Sequence, residues 1–219
     1  MKYNTLFFDF DGTVMDTVGA IILSITDTFD RYGFPIPAEE EIKHNIGIPI
    51  QEIPYIVAQA SAGGPSVDEI VDTYRRVFQE KYAKTHVKVF AGLKDLLLDL
   101  KERGVKMGIV SSKPTDPIHM SLRDTGMEGI FDVVVGSDLV RHYKPLPETV
   151  FLCAHQIGLA DARQALVIGD AIHDIEMGQR AGMHTCAVPW GAGTEAALAA
   201  VNPTYFPKTL ADLSDLLKG

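Results

Sequence analysis

Four aspartates occupy positions where carboxylates can do chemistry: Asp9 and Asp11 in D-F-D-G-T, and Asp170 and Asp174 in G-D-A-I-H-D. Each pair follows a run of strand type, L-F-F before Asp9 and A-L-V-I-G before Asp170. A single aspartate at a strand end serves equally well to cap the next helix. Three or four carboxylates brought into one crevice repel one another unless a cation neutralises them. An oxygen-only donor set without a Cys or His cluster points to Mg²⁺. Ser111 and Ser112, after V-K-M-G-I-V, add hydroxyls, and Lys144 in V-R-H-Y-K-P-L-P adds an ammonium. Beside such a cation, a lysine and a serine complete a phosphate site.

These residues need a scaffold that gathers distant segments. Strand signals fall near residues 4 to 9, 105 to 110, 131 to 135, 165 to 169 and 184 to 188, with a weaker one at 204 to 206. Most are continuous apolar runs, the pattern of strands buried on both faces, and helical segments separate them. An α/β fold with a parallel sheet follows. In such a sheet ligands bind beyond the carboxyl ends of the strands, where all four groups of candidate residues lie.

About 95 residues separate the first two strands, whereas a crossover needs only about a dozen. Segments 17 to 33, 38 to 45, 49 to 61 and 66 to 84 read as helices, punctuated by G-F-P-I-P, G-I-P and A-G-G-P-S. The expected organisation is a catalytic core of residues 1–15 and 88–219 with a helical cap inserted at 16–87.

Composition narrows the function further. The 219 residues are 46% hydrophobic and carry a formal charge of −9. Residues 16 to 86 hold 11 acids against 6 Lys or Arg. With no basic run, neither nucleic acid nor an anionic membrane is an expected partner. Cys153 and Cys186, distant and in apolar contexts, read as core thiols of a reducing compartment, so a cytoplasmic location is expected. The seven histidines show no ligand spacing, and zinc is not indicated.

In order along the chain, D-F-D-G-T, the strand ending at Ser111, Lys144-Pro145 and G-D-A-I-H-D resemble the four motifs of the haloacid dehalogenase-like hydrolase superfamily. The resemblance spans the whole chain. The helical insert is similar to the cap of the phosphoglycolate phosphatase-like branch, and N-I-G-I-P-I-Q-E-I to its specificity segment. It implies a Rossmann-like sheet of order 5-4-1-2-3.

The resemblance also implies roles: Asp9 as nucleophile forming an aspartyl-phosphate, and Asp11 as general acid and base. Asp9, the backbone carbonyl of Asp11, Asp170 and Asp174 would hold Mg²⁺. Ser111, Ser112, Lys144 and helix-start amides near Ser112 would bind phosphate, with Gly12 allowing close backbone approach. Thr13 reads equally as a group that orients Asp11 and as a plain turn residue. An acid at position 11 separates phosphotransferases from dehalogenases, so the implied activity is a Mg²⁺-dependent phosphatase acting on a small phosphoglycolate-like metabolite. Pyrophosphatases, nucleotidases and β-phosphoglucomutase-type phosphotransferases carry similar motifs. S-S-K-P-T-D-P resembles the pyrophosphatases nearly as much, and a non-catalytic binding module would have lost one of these aspartates. Lys43, His44 and Gln51 flank Gly47 in the cap and read chiefly as solvated surface, as do Arg75 and Arg76. Oligomeric state is not legible.

Overall fold

The computed structural model describes residues 2–219. Its centre is a parallel sheet of five strands: β1 (Thr5–Phe8), β4 (Lys106–Val110), β5 (Val133–Val135), β6 (Ala165–Gly169) and β7 (His184–Ala187), in the order β5-β4-β1-β6-β7. Counting only these five along the chain, that is the expected 5-4-1-2-3. The weak strand signal at 204 to 206 survives only as an isolated bridge between Tyr205 and Cys186.

Side-chain alternation divides the strands between two cores. Leu6 and Phe8 of β1 join Met107, Ile109, Leu166 and Ile168 on one face, while Phe7 joins Val110 and Val167 on the other. The first face is covered by helices α6 (Leu93–Glu102), α7 (Thr115–Asp124) and α11 (Leu210–Lys218). Leu93, Leu96, Leu97 and Leu100 form the buried stripe of α6, spaced as one face of a helix requires. Helices α8 (Glu148–Ile157) and α9 (Ile172–Arg180) cover the second face. Short α10 (Glu195–Ala200) packs Leu198 against Ile175 of α9. Both cysteines are free and buried, and burial pushes each thiol up to about 12.

Between β1 and β4 the chain forms β2 (Met15–Asp16), then α1 (Val18–Tyr32), α2 (Glu39–Asn45), α3 (Pro54–Ser61), α4 (Val67–Val77) and α5 (Ala83–His86), and returns through β3 (Lys88–Val89). Local signals set the ends of these helices. Gly33 closes α1 at φ 68°, and Ser66 with Glu69 forms a capping box at the start of α4. These helices enclose a separate apolar cluster that includes Ile25, Phe29, Ile42, Ile56 and Ile70. The last segment, read as one helix from 66 to 84, is divided by a π-helical turn at Phe78–Tyr82. The antiparallel pair β2–β3 lines up Met15 with Val89 and Asp16 with Lys88, so outgoing and returning chain lie side by side.

Candidate active site

Three strands deliver the expected residues to one edge of the sheet. Phe8 is level with both Ile109 and Ile168, so Asp9, Ser111 and Asp170 emerge beyond neighbouring strand ends. The Asp9 amide donates to the Ile168 carbonyl at 2.9 Å and the Ser111 amide to Val135 at 3.0 Å, which fixes both residues to the adjacent strand. Asp174 lies in the first turn of α9, where one of its oxygens accepts from the Ala171 amide at 3.0 Å.

Asp9, Asp170 and Asp174 each place a carboxylate oxygen within 4.8 Å of the other two, and all are buried. The buried Lys144 ammonium donates to Asp9 Oδ1 and to Asp174 Oδ1, both at 2.6 Å. Burial opposes its charge, but Asp174 and Asp9 dominate and raise its pKa. Burial also drives the Asp9 carboxyl well above the ordinary range, with Asp174 and Asp170 adding to the rise and Lys144 opposing it. Asp170 is pushed up to about 7 by burial and by Asp174, against hydrogen bonds from Thr13 and the Ala192 amide. Fully ionised, the three carboxylates carry two more negative charges than Lys144 offsets. An excess of two charges, all-oxygen donors and confinement within one small cluster fit a hard divalent cation.

Asp170 has its own cradle. Thr13 Oγ1 donates to Oδ1 at 2.6 Å and the Ala192 amide to Oδ2 at 2.7 Å. Thr13 therefore braces Asp170 rather than Asp11, because the turn from Phe10 to Met15 aims its hydroxyl at the β6 end. Gly12, at φ 85°, comes so close to Asp170 that a Cβ would lie 2.3 Å from Oδ2; at Gly191 it would lie 2.0 Å away. The loop after β7 is thus part of the site. From sequence, Trp190-Gly191 reads more as core packing than as the rim of the crevice, although W-G-A-G-T carries the small residues such a close approach demands. Trp190 packs against Phe90 and donates to the Thr13 carbonyl at 3.4 Å.

Asp11 stands apart from the acidic cluster. Lys113 Nζ holds both of its carboxylate oxygens, at 3.0 and 3.1 Å, and lies 4.9 Å from the centre of the Phe78 ring. Nothing in the sequence pairs Lys113 with Asp11, since nothing local links residues 102 positions apart. Ser112 donates to the Gly47 carbonyl at 2.5 Å, joining the core to the inserted helices. The helix expected near Ser112 begins at Thr115, whose amide is taken by Asp138 at 2.7 Å. Lys43 pairs with Glu39 on the outside of α2.

Asp9, Asp11, Ser111, Ser112 and Lys113 floor a chamber of about 290 Å³ roofed by the inserted helices. A doubly wound sheet whose strand ends collect an acidic, lysine-braced centre beneath a helical roof defines a class, α/β proteins with a carboxylate-rich site at the carboxyl edge of the sheet. The family model of the haloacid dehalogenase-like hydrolases matches residues 6–188, and the chain belongs to that family. Relatives named pyrophosphatase PpaX include one from Bacillus pumilus, 37% identical over 96% of this chain and 94% of its own. Another, from Oceanobacillus iheyensis, is 33% identical over 97% and 96%. Among solved structures, a haloacid dehalogenase-like family hydrolase from Streptococcus pneumoniae superposes with a TM-score of 0.80 at 25% identity, covering 99% of this chain and 98% of its own. A candidate phosphoglycolate phosphatase from Lactobacillus delbrueckii also reaches 0.80 at 25% identity, with 99% of each chain covered. Among the described residues no helix is long and apolar enough to cross a membrane.

Proposed function

We propose that the chain is a Mg²⁺-dependent phosphatase that hydrolyses a small phosphorylated metabolite through a phosphoryl group carried on Asp9. The observation that carries this reading is the division of labour between the two aspartates of D-F-D-G-T. Asp9 sits within the buried acidic cluster, whereas Asp11 faces the chamber on the Lys113 ammonium. An Asp9 oxygen attacks phosphorus in line, the ester P–O bond breaks, and Asp11 gives its proton to the leaving oxygen. Asp11 then takes a proton from a water that attacks the same phosphorus, which frees Asp9 and releases phosphate. Asp9, Asp170, Asp174 and the Asp11 carbonyl would hold the ion, which supplies charge neutralisation when one anion attacks another. Lys144 keeps Asp9 oriented, the Ser111 hydroxyl and the Ser112 backbone amide provide donors for the transferring group, and Gly12 lets the backbone approach it.

Residues 16–87 act in this reading as a cap over a core of 1–15 and 88–219, and the buried free thiols suit the cytoplasm. A second reading, hydrolysis of inorganic pyrophosphate, is favoured by the names of the Bacillus pumilus and Oceanobacillus iheyensis relatives. The mechanism is tested by acid-quenching turnover of p-nitrophenyl phosphate with Mg²⁺ and mapping the labelled peptide. A phosphoryl group on Asp9 is the expected result. A chain that turns over the ester with no label on Asp9 at any quench time, or with label elsewhere, overturns it.

A further inference from the structure

The chamber above the two aspartates has two chemically distinct ends. Its floor is polar, but the surface facing it from the inserted helices is built largely of isoleucine: Ile21, Ile42, Ile46, Ile48, Ile50 and Ile53 all line it, with Asn45, Tyr74 and Gln79 as uncharged polar groups among them. Ile21, Ile42, Ile46 and Ile53 are simultaneously buried in the core of the inserted helices, so the surface they present is held by packing. Cations are scarce at this end. Among the described residues lining the chamber, the inserted helices contribute one, Arg75, whose guanidinium is half exposed and already pairs with Asp72 at 3.3 Å. The core contributes Lys113, engaged by both oxygens of Asp11.

A leaving group must occupy this upper end while the transferring phosphoryl group meets Asp9. Inorganic pyrophosphate would place a second, multiply charged phosphate against a wall that is mostly isoleucine, exchanging its hydration for few hydrogen bonds and no unpaired cation. A short hydrocarbon or aromatic group would bury apolar surface there instead. We infer that the preferred substrate is an organic phosphate monoester with a compact apolar leaving group, not pyrophosphate. This deepens the phosphatase reading above and rests on it. A volume of about 290 Å³ lies just below the span of small-molecule pockets, about 300 to 1,000 Å³, and so limits the leaving group to a compact one.

The test is kcat/KM of the full chain with Mg²⁺ across ethyl, propyl, butyl, pentyl and hexyl phosphate, together with phenyl phosphate, phosphoglycolate and inorganic pyrophosphate. Each methylene should raise kcat/KM roughly three- to fourfold until the chamber is full, the change expected for burying one CH₂. Phenyl phosphate should exceed both phosphoglycolate and pyrophosphate by at least about tenfold. Ile50→Lys places a cation at a partly exposed wall position; confirmed folded by its melting transition, it should flatten the alkyl series and raise pyrophosphate relative to hexyl phosphate. A flat series in the parent chain, or pyrophosphate as its best substrate, overturns the inference while leaving the phosphatase mechanism standing. Failure to turn over any of these compounds overturns both.

Discussion

At the scale of single residues, the proposed mechanism separates groups that would touch phosphorus from groups that hold them. Asp9→Asn removes the attacking oxygen and no neighbour can substitute for it, so turnover should fall by several orders of magnitude. Retention of more than about a tenth of activity, a barrier change under about 1.4 kcal/mol, would refute the nucleophile assignment. Asp11→Asn should be selective. Single-turnover phosphorylation by an alkyl phosphate should suffer far more than phosphorylation by p-nitrophenyl phosphate, whose leaving group needs little protonation. Equal losses would count against proton transfer by Asp11. Gly191→Ala makes the complementary case, since its Cβ would fall 2.0 Å from Asp170 Oδ2 and force that carboxylate to move. Mg²⁺ affinity measured by calorimetry should drop about 10- to 100-fold, as for other groups that support a metal ligand, with the native circular dichroism spectrum retained.

At the scale of elements, the two-residue strands β2 and β3 carry a prediction about the inserted helices. Because Asp16 lies directly across from Lys88, residues 18 to 85 can be excised and the ends joined by a short Gly/Ser linker without stretching the core. The apolar cluster of the insert takes in only Ala192 and Val87 from outside the excised segment, so the sheet should survive the excision. The shortened chain should bind Mg²⁺ and hydrolyse p-nitrophenyl phosphate slowly, while kcat/KM loses its dependence on alkyl length. A folded, Mg²⁺-binding deletion variant that kept the parent's ranking of substrates would remove the insert from specificity.

At the scale of the whole molecule, the acidic cluster links proton, metal and folding equilibria. Asp170 titrates at about 7 in the folded, ion-free protein, against about 3.9 for an unfolded aspartate. Between those values the folded state binds a proton that the unfolded state has released. The contribution to stability is therefore full below about pH 4 and declines as pH rises towards 7. Mg²⁺ competes with that proton, so the stabilisation it confers should grow over the same window. At a free ion concentration 100 times the dissociation constant, stabilisation is about 2.7 kcal/mol, or roughly 5 to 10 °C for a chain of this size. Melting curves in EDTA and in Mg²⁺ at pH 5 and pH 8 check this, with the larger ion-dependent shift expected at pH 8. Equal shifts at both values would mean that Asp170 is not titrating in the ion-free site.

The parts of this protein that were legible without coordinates are those written locally. Apolar runs such as A-L-V-I-G mark strands because burial on both faces admits only such residues. The long gap between the first two strands announces an insertion because a crossover is short. Asp9, Asp11, Asp170 and Asp174 stand out because each follows a strand, and their arrival at one edge follows from parallel strands whose carboxyl ends all point the same way. Pairings across the chain are a different matter. Thr13 reaches Asp170, Lys113 reaches Asp11, and Ser112 reaches Gly47, each over a separation at which no periodicity operates. The two-residue strands β2 and β3 are too short to leave an alternation, and the π turn at Phe78–Tyr82 shares its residue types with any amphipathic helix. Resemblance marks N-I-G-I-P-I-Q-E-I as a specificity segment, but it does not say which of its side chains face the substrate. Only packing decides that Ile48 and Ile50 also face the catalytic floor, because burial among one's own helices and exposure to a chamber require the same side chain.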